Sequence, residues 1–288
     1  MNCTKGEINP EANMGLKQIQ IDNGYVLACQ CQVNNSLSIE DSDDSQLFTQ
    51  AVIVKKELLS KDVCRIVLKP SLNISFRAGQ FINIRMSANY IRSYSLANLP
   101  TDDNTLELHV KRMKNGLLSN WLVDTVSTND LLEIQGPFGH CFYHDYFSER
   151  NMLLIATGTG LAPLMGILRD AIRNGHTGQI YLYHGDNTCA ELYLHQELVN
   201  LILQHQNIHY FPCVSKEVDK YEKSYYYQRA SDLAFQNHTN LNDHLVYLCG
   251  SPQMVEACQK LSIERNVEAS HIFSDPFITK DLRTGNER

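Results

Sequence analysis

The segment RSYS, Arg92 to Ser95, places a guanidinium, an aromatic ring and two hydroxyls next to one another. A guanidinium suits a pyrophosphate because its planar fork matches two oxygens, and a tyrosine ring can stack on a flat ring system. If the segment is a strand, Arg92 and Tyr94 face one side of it, and Ser93 and Ser95 face the other. An arginine and a tyrosine on one strand are more often a surface pair, so this segment alone does not define a site.

Two further segments end an apolar run in glycine and then begin a run with helical spacing. In GTGLAP, Gly158 to Pro163, the glycines would let backbone amides approach a phosphate, whose charge a helix N-terminus favours. A strand-to-helix turn without a ligand explains such a loop about equally well. In YLCGSPQM, Tyr247 to Met254, Cys249 and Gly250 end the apolar run before the helical pattern begins. A cysteine at such a position is by itself more often a small buried hydrophobic residue.

The apolar pattern divides most of the chain into two different halves. From Leu47 to about Tyr146, short alternating runs separated by turn residues predict antiparallel strands in a barrel, with one helix in LLSNWLVDTV. After Phe147, apolar strands alternate with amphipathic helices, among them AELYLHQELVNLILQHQ, and HIFSDPF is the last strand. Such alternation predicts a parallel sheet covered on both faces. We therefore expect a β-barrel followed by an α/β domain.

The composition excludes several classes of protein. The 288 residues carry a formal net charge of -7 and show no cluster of lysines and arginines, which argues against a nucleic-acid partner. The sequence has no pattern of a secretory signal or a membrane span, and its nine scattered cysteines suggest reduced thiols, so we expect a cytoplasmic protein. We expect His184, His205 and His209 to be surface or hydrogen-bonded core residues, and no metal site in the two main domains.

The acidic, serine-rich segment SLSIEDSDDSQ, Ser36 to Gln46, is typical of a linker. We therefore predict a short N-terminal piece over residues 1–46. The β-barrel domain then covers residues 47–146, and the α/β domain covers residues 147–288.

The motifs RSYS, GLLSNWL, GPFG, GTGLAP and CGSPQM, in this order and at these separations, resemble the ferredoxin reductase superfamily of FAD- and NAD(P)H-dependent flavoproteins. The resemblance covers roughly Leu47 to Ile278 and is strongest to the branch that supplies electrons to bacterial oxygenases. It implies an FAD-binding barrel and an NAD(P)H-binding α/β domain. It also implies hydride transfer from NAD(P)H to FAD, followed by single-electron transfer to a protein acceptor such as a ferredoxin or an oxygenase component.

The resemblance also assigns residues to each cofactor. Arg92 is expected at the FAD pyrophosphate, Tyr94 on the isoalloxazine ring, and Ser95 near the reactive flavin nitrogen. The other residues expected at FAD are Ser93, His109, Val110, Lys111, Gly116, Leu117, Leu118 and Ser119. The residues expected at the dinucleotide are Gly158, Thr159, Gly160, Pro163, Gly185, Asp186, Cys249, Gly250, Pro252 and Met254. Ser95 and Cys249 are the two expected catalytic residues. One of Phe273 and Phe277 is expected in the core and the other, Phe277 in our assignment, over the flavin.

The segment GDNTCAELY, Gly185 to Tyr193, holds the position where these enzymes usually select between NADH and NADPH. It carries Asp186 in place of an arginine, and a carboxylate accepts from ribose hydroxyls but repels a 2'-phosphate. NADH is therefore favoured. Lys216 keeps NADPH possible, because the next strand end can also supply a partner for that phosphate.

Three alternatives stay open on the sequence. The first is a free-flavin reductase, in which the flavin is a diffusing substrate. The second is a non-catalytic flavin-binding sensor or assembly subunit. The third is an electron-transfer subunit of a larger dehydrogenase, although such subunits usually carry a late cysteine cluster, which Cys249 and Cys258 do not form.

The segment GYVLACQCQV, Gly24 to Val33, resembles the end of a plant-type [2Fe-2S] ferredoxin domain, in which Cys29 matches the last ligand. A cluster of this type needs four thiolates, and only Cys3 precedes the segment. We therefore expect Cys29 to be a relic ligand in a ferredoxin-like remnant, with no cluster in this chain. A truncated start and a lost cluster both fit this pattern.

Overall fold

The computed structural model describes residues 2–9, 12, 21, 24–26, 31–32, 36–40, 47–87, 90–101, 103–216 and 224–278. Near the N-terminus, strand β1 (Asn2–Lys5) pairs antiparallel with strand β2 (Ser38–Glu40). Cys29, the expected relic ligand, lies outside the described residues. The ferredoxin-like remnant therefore stays a prediction.

Six antiparallel strands form the first domain. They are β3 (Thr49–Leu58), β4 (Val63–Pro70), β5 (Phe81–Ser87), β6 (Tyr90–Ser95), β7 (Leu106–Lys111) and β8 (Leu131–Phe138). Their order is β6-β5-β8-β3-β4-β7, and an antiparallel bridge between Leu96 and Leu108 joins the two outer strands. Alternate side chains point inward, so that Ile66 and Leu68 of β4 are fully buried. The predicted antiparallel barrel is confirmed.

The helix predicted inside the barrel domain is present between β7 and β8. It begins as α1 (Leu117–Asn120) and continues as one wider turn, a π-helix over Trp121–Thr125. Leu118, Leu122 and Val123 pack into the barrel core from this segment. The apolar spacing of LLSNWLVDTV thus covers one end of the barrel.

Five parallel strands and four helices form the second domain. The strands are β9 (Asn151–Thr157), β10 (Ile180–Asp186), β11 (Ile208–Val214), β12 (His244–Gly250) and β13 (Ile272–Pro276), in the order β11-β10-β9-β12-β13. The helices are α2 (Leu161–Arg173), α3 (His195–Gln204), α4 (Ala230–Asn237) and α5 (Pro252–Glu264). Helices α2 and α3 pack on one face of the sheet and α4 and α5 on the other. The predicted parallel sheet covered on both faces is confirmed.

One predicted helix begins later than expected. The pattern of AELYLHQELVNLILQHQ predicts a helix from Ala190, but α3 starts at His195. Leu194 before it adopts a left-handed conformation with φ of 58°, which turns Tyr193 into the interior, where it is 2% exposed. The helix is shorter by about one turn because Tyr193 forms a hydrogen bond with His109 of the barrel. The helices described by the structure include none that is long and apolar enough to cross a membrane.

Helix α2 lies directly on the barrel backbone at Gly166. A Cβ atom at this position would lie 2.9 Å from the carbonyl oxygen of Leu96 and 3.1 Å from the nitrogen of Gly79. Arg169, one turn later, donates to the carbonyl of Ala97 at 2.9 Å. The absence of a side chain at Gly166 therefore sets the distance between the two domains.

We expect Gly166→Ala to lower the free energy of unfolding by about 1–3 kcal/mol, because the added methyl group pushes α2 away from the barrel. Helix propensity alone would raise it by about 1 kcal/mol, so the two explanations differ in sign. Urea unfolding measures the change, and Glu264→Ala on the exposed end of α5 is the control. A more stable Gly166→Ala variant would contradict this role of the glycine.

Candidate active site

The order of the parallel strands reverses between β9 and β12, and ligands bind in the crevice at the carboxyl ends of such strands. The turn Gly158 to Gly160 follows β9 and leads into α2. Strand β12 ends at Gly250, and Ser251 joins it to α5. The backbone N–H of Ser251 donates to Thr157 Oγ1 at 3.0 Å, which holds the two turns together.

Two glycines make this close approach possible. A methyl group at Gly160 would overlap the carbonyl of Cys249, and one at Gly250 would overlap Thr157. Gly250 also has φ of 131°, which favours glycine. The result is a cradle of bare backbone at the start of α2, and such a cradle fits the phosphates of a dinucleotide.

The first residue of this cradle is held from below by His184. The ring of His184 is fully buried, and its Nε2–H donates to the carbonyl oxygen of Gly158 at 3.1 Å. Burial lowers the pKa of His184 to about 4, so the ring is neutral at neutral pH. His184 is therefore a hydrogen-bonded core residue, one of the two places expected for it.

A lysine of the barrel reaches the same cradle. Lys111 Nζ lies 3.1 Å from Asp186 Oδ2, and a Cβ at Gly158 would lie 3.8 Å from that nitrogen. Asp186 Oδ1 accepts from the backbone N–H of Asn187 at 2.9 Å, so both carboxylate oxygens are engaged. Hydrogen bonding with Asp186 raises the pKa of the neighbouring Glu191. A ribose hydroxyl, the partner expected for Asp186, would therefore compete with Lys111 for the Asp186 carboxylate.

On the barrel side, Ser95 meets the last strand of the sheet. Ser95 Oγ donates to Asp275 Oδ2 at 2.7 Å, and Asp275 pairs with Cys249 across β12 and β13. Burial raises the pKa of Asp275, although the hydrogen bond from Ser95 opposes that effect. No sequence motif singles out Asp275, whose one signal is a carboxylate within the predicted strand HIFSDPF.

The other residues of RSYS follow the expected alternation. Arg92 is exposed and donates to the carbonyl of Ile91 at 2.7 Å, while Tyr94 is half-buried against the barrel core. Ser93 donates to Asn83 Oδ1 at 2.8 Å. An exposed guanidinium next to a half-buried ring at the open edge strand fits a flat cofactor with a pyrophosphate.

Cys249 lies beneath the surface of the crevice. It is fully buried, and its Sγ lies 3.7 Å from Cys141 Sγ, a barrel residue. Burial raises the pKa of the Cys249 thiol well above its ordinary value. Phe273 packs in the core against Tyr247 and His144, with ring centroids 4.9 and 4.5 Å away.

The structure places the remaining expected residues in three settings. The side chains of His109 and Val110 and that of Leu118 are buried, so only their backbone is open to a cofactor. Gly116 precedes α1, where a methyl group would overlap Ser119, and Leu117 is exposed. The last group lies around the two turns and consists of Thr159, Pro163, Gly185, Pro252, Met254 and Phe277. The backbone N–H of Phe277 donates to the Gly250 carbonyl at 2.7 Å. Over the described ranges, histidine, cysteine and acidic residues form no group of three that could hold a metal ion.

Comparisons with known proteins define the class. Residues 50–143 match the model of an oxidoreductase FAD-binding domain, and residues 154–260 match that of an oxidoreductase NAD-binding domain. The chain therefore belongs to the ferredoxin reductase superfamily of FAD- and NAD-binding oxidoreductases. It is an FAD-dependent NAD(P)H oxidoreductase, as the motif order predicts.

Three similar proteins come from different bacterial systems. The chain is 27% identical to the ferredoxin–NAD(P)(+) reductase component of a Pseudomonas putida naphthalene 1,2-dioxygenase system, over 94% of this chain and 82% of that protein. It is 30% identical to a probable flavin reductase of Vibrio harveyi, over 78% of this chain and 97% of that protein. The crystal structure of the Amycolatopsis cytochrome P450 reductase GcoB superposes with a TM-score of 0.76 at 28% identity, over 96% and 86% of the two chains.

We expect Gly160→Ala to raise the Kd for NAD+ by about tenfold or more, because the methyl group forces the two turns apart. Gly175→Ala, beyond the far end of α2, is the control. A Cβ there meets no atom within 4 Å, although φ of 66° costs the alanine about 1 kcal/mol. Equilibrium titration with NAD+ measures both variants. Equal Kd values for the two variants would argue against the close approach as the cause.

Stability is expected to fall between about pH 6.5 and pH 4 in part because of His184. Its folded pKa of about 4 lies below the ordinary value of 6.5, so the unfolded chain binds a proton that the folded chain does not. The resulting loss in the free energy of unfolding reaches about 3 kcal/mol at pH 4. His184→Asn should be less stable at neutral pH but should lose less stability on acidification, as urea unfolding at several pH values will show. His140→Asn controls for removal of an exposed histidine, and an unchanged pH slope in His184→Asn would sink the prediction.

Proposed function

We propose that this protein is the reductase component of an electron-transfer system, which oxidises NADH and passes electrons singly to an iron–sulfur or oxygenase-type protein. The observation that carries the proposal is the meeting of Ser95 with Asp275 at the edge of the dinucleotide cradle. It places the RSYS strand of the barrel beside the carboxyl ends of β12 and β13. The names of the naphthalene dioxygenase and P450 relatives support an acceptor of this kind. The cytoplasmic location expected from the sequence belongs to the same proposal.

FAD, when bound, accepts a hydride and can release the electrons one at a time. The residues of this chain would bind and orient. Arg92 would pair with the FAD pyrophosphate, and the backbone amides at Gly158 to Gly160 would receive the dinucleotide phosphates. Asp275 fixes the direction of the Ser95 hydroxyl by accepting its hydrogen, which leaves the oxygen lone pairs of Ser95 free for another donor.

The preference for NADH rests on the charges at the end of β10. Asp186 and Glu191 place two carboxyl groups beside the cradle, and Lys111 forms an ion pair with Asp186 there. A 2'-phosphate would meet these carboxyl groups. The backbone N–H of Lys216 donates to the Asn187 carbonyl at 3.0 Å, so a cation stands at the same turn and NADPH is the second substrate of the proposal.

A free-flavin reductase is the second candidate. It is favoured by the Vibrio harveyi relative, because the chain spans 97% of that protein. The two functions differ in whether the flavin stays on the protein. Gel filtration of the purified chain distinguishes them, since a retained FAD spectrum supports the first function and release of all flavin supports the second. One-electron transfer from NADH to a plant-type ferredoxin, compared with free FMN, then tests the acceptor.

NADH is expected to bleach the bound flavin, and Ser95→Ala should slow this reduction by about ten- to a hundredfold, because the positioned hydroxyl is lost. Stopped-flow absorbance of the FAD-loaded chain measures the rate. Ser274→Ala is the matched control, since Ser274 lies beside Asp275 but accepts a hydrogen bond from Gln259 of α5 instead. A flavin that neither NADH nor NADPH reduces would contradict the proposed function. A wild-type rate in Ser95→Ala would contradict only the role of Ser95.

A further inference from the structure

The interface between the two domains contains a closed ring of four alternating charges, which we call the charge ring. Its members are Arg65 and Glu107 of the barrel and Arg169 and Glu197 of the α/β domain. Glu107 lies 3.5 Å from Arg65 and 3.3 Å from Arg169, and Glu197 lies 2.7 Å from Arg169 and 3.4 Å from Arg65. The ring therefore crosses the interface twice and resists sliding of one domain past the other.

A buried hydrogen-bonded pair continues from the charge ring into the α/β domain. His109 Nε2 lies 3.0 Å from Glu107 Oε1, and His109 Nδ1 lies 3.2 Å from the hydroxyl of Tyr193. Burial would raise the pKa of Glu107, but the hydrogen bond from His109 and the two arginines lower it to about 2. Because an ionised carboxylate only accepts, Nε2 carries the hydrogen and Nδ1 accepts from Tyr193.

Tyr193 leads from this pair to the dinucleotide cradle. Its ring packs edge-on against His109 and against His184, with centroids 5.3 and 5.7 Å apart and interplanar angles of 87° and 89°. His184 in turn holds the carbonyl of Gly158. We call the series His109, Tyr193 and His184 the buried path; its three side chains are almost completely inaccessible to solvent.

The backbone next to Tyr193 adopts an unfavourable conformation that raises the local free energy. Leu194 has φ of 58°, a conformation that costs a non-glycine residue roughly 1–2 kcal/mol. The same turn delays the start of α3. A tyrosine that served only as core filling could remain in the helix that the sequence pattern predicts.

We infer that the buried path is a positioning device: Tyr193, anchored on the barrel through His109 and the charge ring, sets where the Gly158 turn stands relative to the barrel. The inference rests on the proposed function, since hydride transfer between cofactors held by different domains depends on that distance. Tyr193, His109 and His184 are thus positioning residues. They touch the turn or each other, and act on the reaction through Gly158.

A second tyrosine–histidine pair, of the buried Tyr183 and the half-buried His238, provides the control. Tyr183 is fully buried, and its hydroxyl lies 3.1 Å from His238 Nε2, nearly the same geometry as the pair of Tyr193 and His109. It packs with the core on the other face of the sheet, under α4 and α5. Loss of its hydroxyl removes this hydrogen bond and a second one, donated by Asn237 Nδ2 at 3.1 Å, without involving the charge ring or the Gly158 turn.

The experiment compares Tyr193→Phe with Tyr183→Phe in the FAD-loaded full chain. Both variants should melt lower by about 2–4 °C or more, because Tyr193→Phe loses one hydrogen bond and Tyr183→Phe loses two. Only Tyr193→Phe should reduce its flavin more slowly at saturating NADH, by about tenfold, with an unchanged flavin spectrum. Its Kd for NAD+, measured by equilibrium titration without turnover, should rise about threefold.

Glu197→Gln gives a second test at the charge ring. Its side chain is 42% exposed, so the variant should fold, and the reduction rate should fall by about twofold. Wild-type rate and wild-type Kd in Tyr193→Phe, or the same losses in Tyr183→Phe, would overturn the inference while leaving the proposed function intact. Failure of NADH to reduce the wild-type flavin would instead overturn the proposed function, and the NAD+ titration would still show whether Tyr193 positions the turn.

Discussion

The turns after β9 and β12 approach each other so closely that no side chain fits at Gly160 or at Gly250. Gly160 faces the carbonyl of Cys249, and Gly250 faces Thr157, so backbone packs on backbone at the point where the strand order reverses. This contact fixes the backbone at the start of α2, at the edge of the sheet where ligands of such folds bind. The placement of Ser95, Asp275 and Lys111 matters chemically only because this cradle is present between them.

The interface between the domains follows a similar rule, since polar groups there are buried in pairs. Ser95 binds Asp275, His109 binds Tyr193, and Arg169 reaches both Glu107 and the Ala97 carbonyl. A buried polar group without its partner is costly, so these pairs disfavour other orientations of the two domains. Apolar contact alone would tolerate small shifts. The polar pairs therefore give the interface one preferred geometry.

The architecture could be predicted from the sequence because it is encoded locally. Alternation predicted the barrel strands, and apolar runs followed by glycine predicted the ends of β9 and β12. The pairs that complete the site could not be predicted, because they join residues 180, 84 and 75 positions apart, namely Ser95 with Asp275, His109 with Tyr193, and Lys111 with Asp186. Periodicity carries no information about such pairs. The late start of α3 also depends on a distant residue, because Tyr193 hydrogen-bonds to His109 of the barrel instead of continuing the helix.

Cys249 shows how a motif residue can serve a site through its size. Its thiol is fully buried against Cys141, and burial raises its pKa well above the ordinary value, so it stays protonated and is a poor nucleophile. The floor of the crevice is instead its backbone, whose carbonyl packs against Gly160. A larger side chain would have to displace Cys141 or lift the β12 turn away from the β9 turn. The compact thiol thus allows the end of β12 to pack against the β9 turn while the domains remain in contact beneath it.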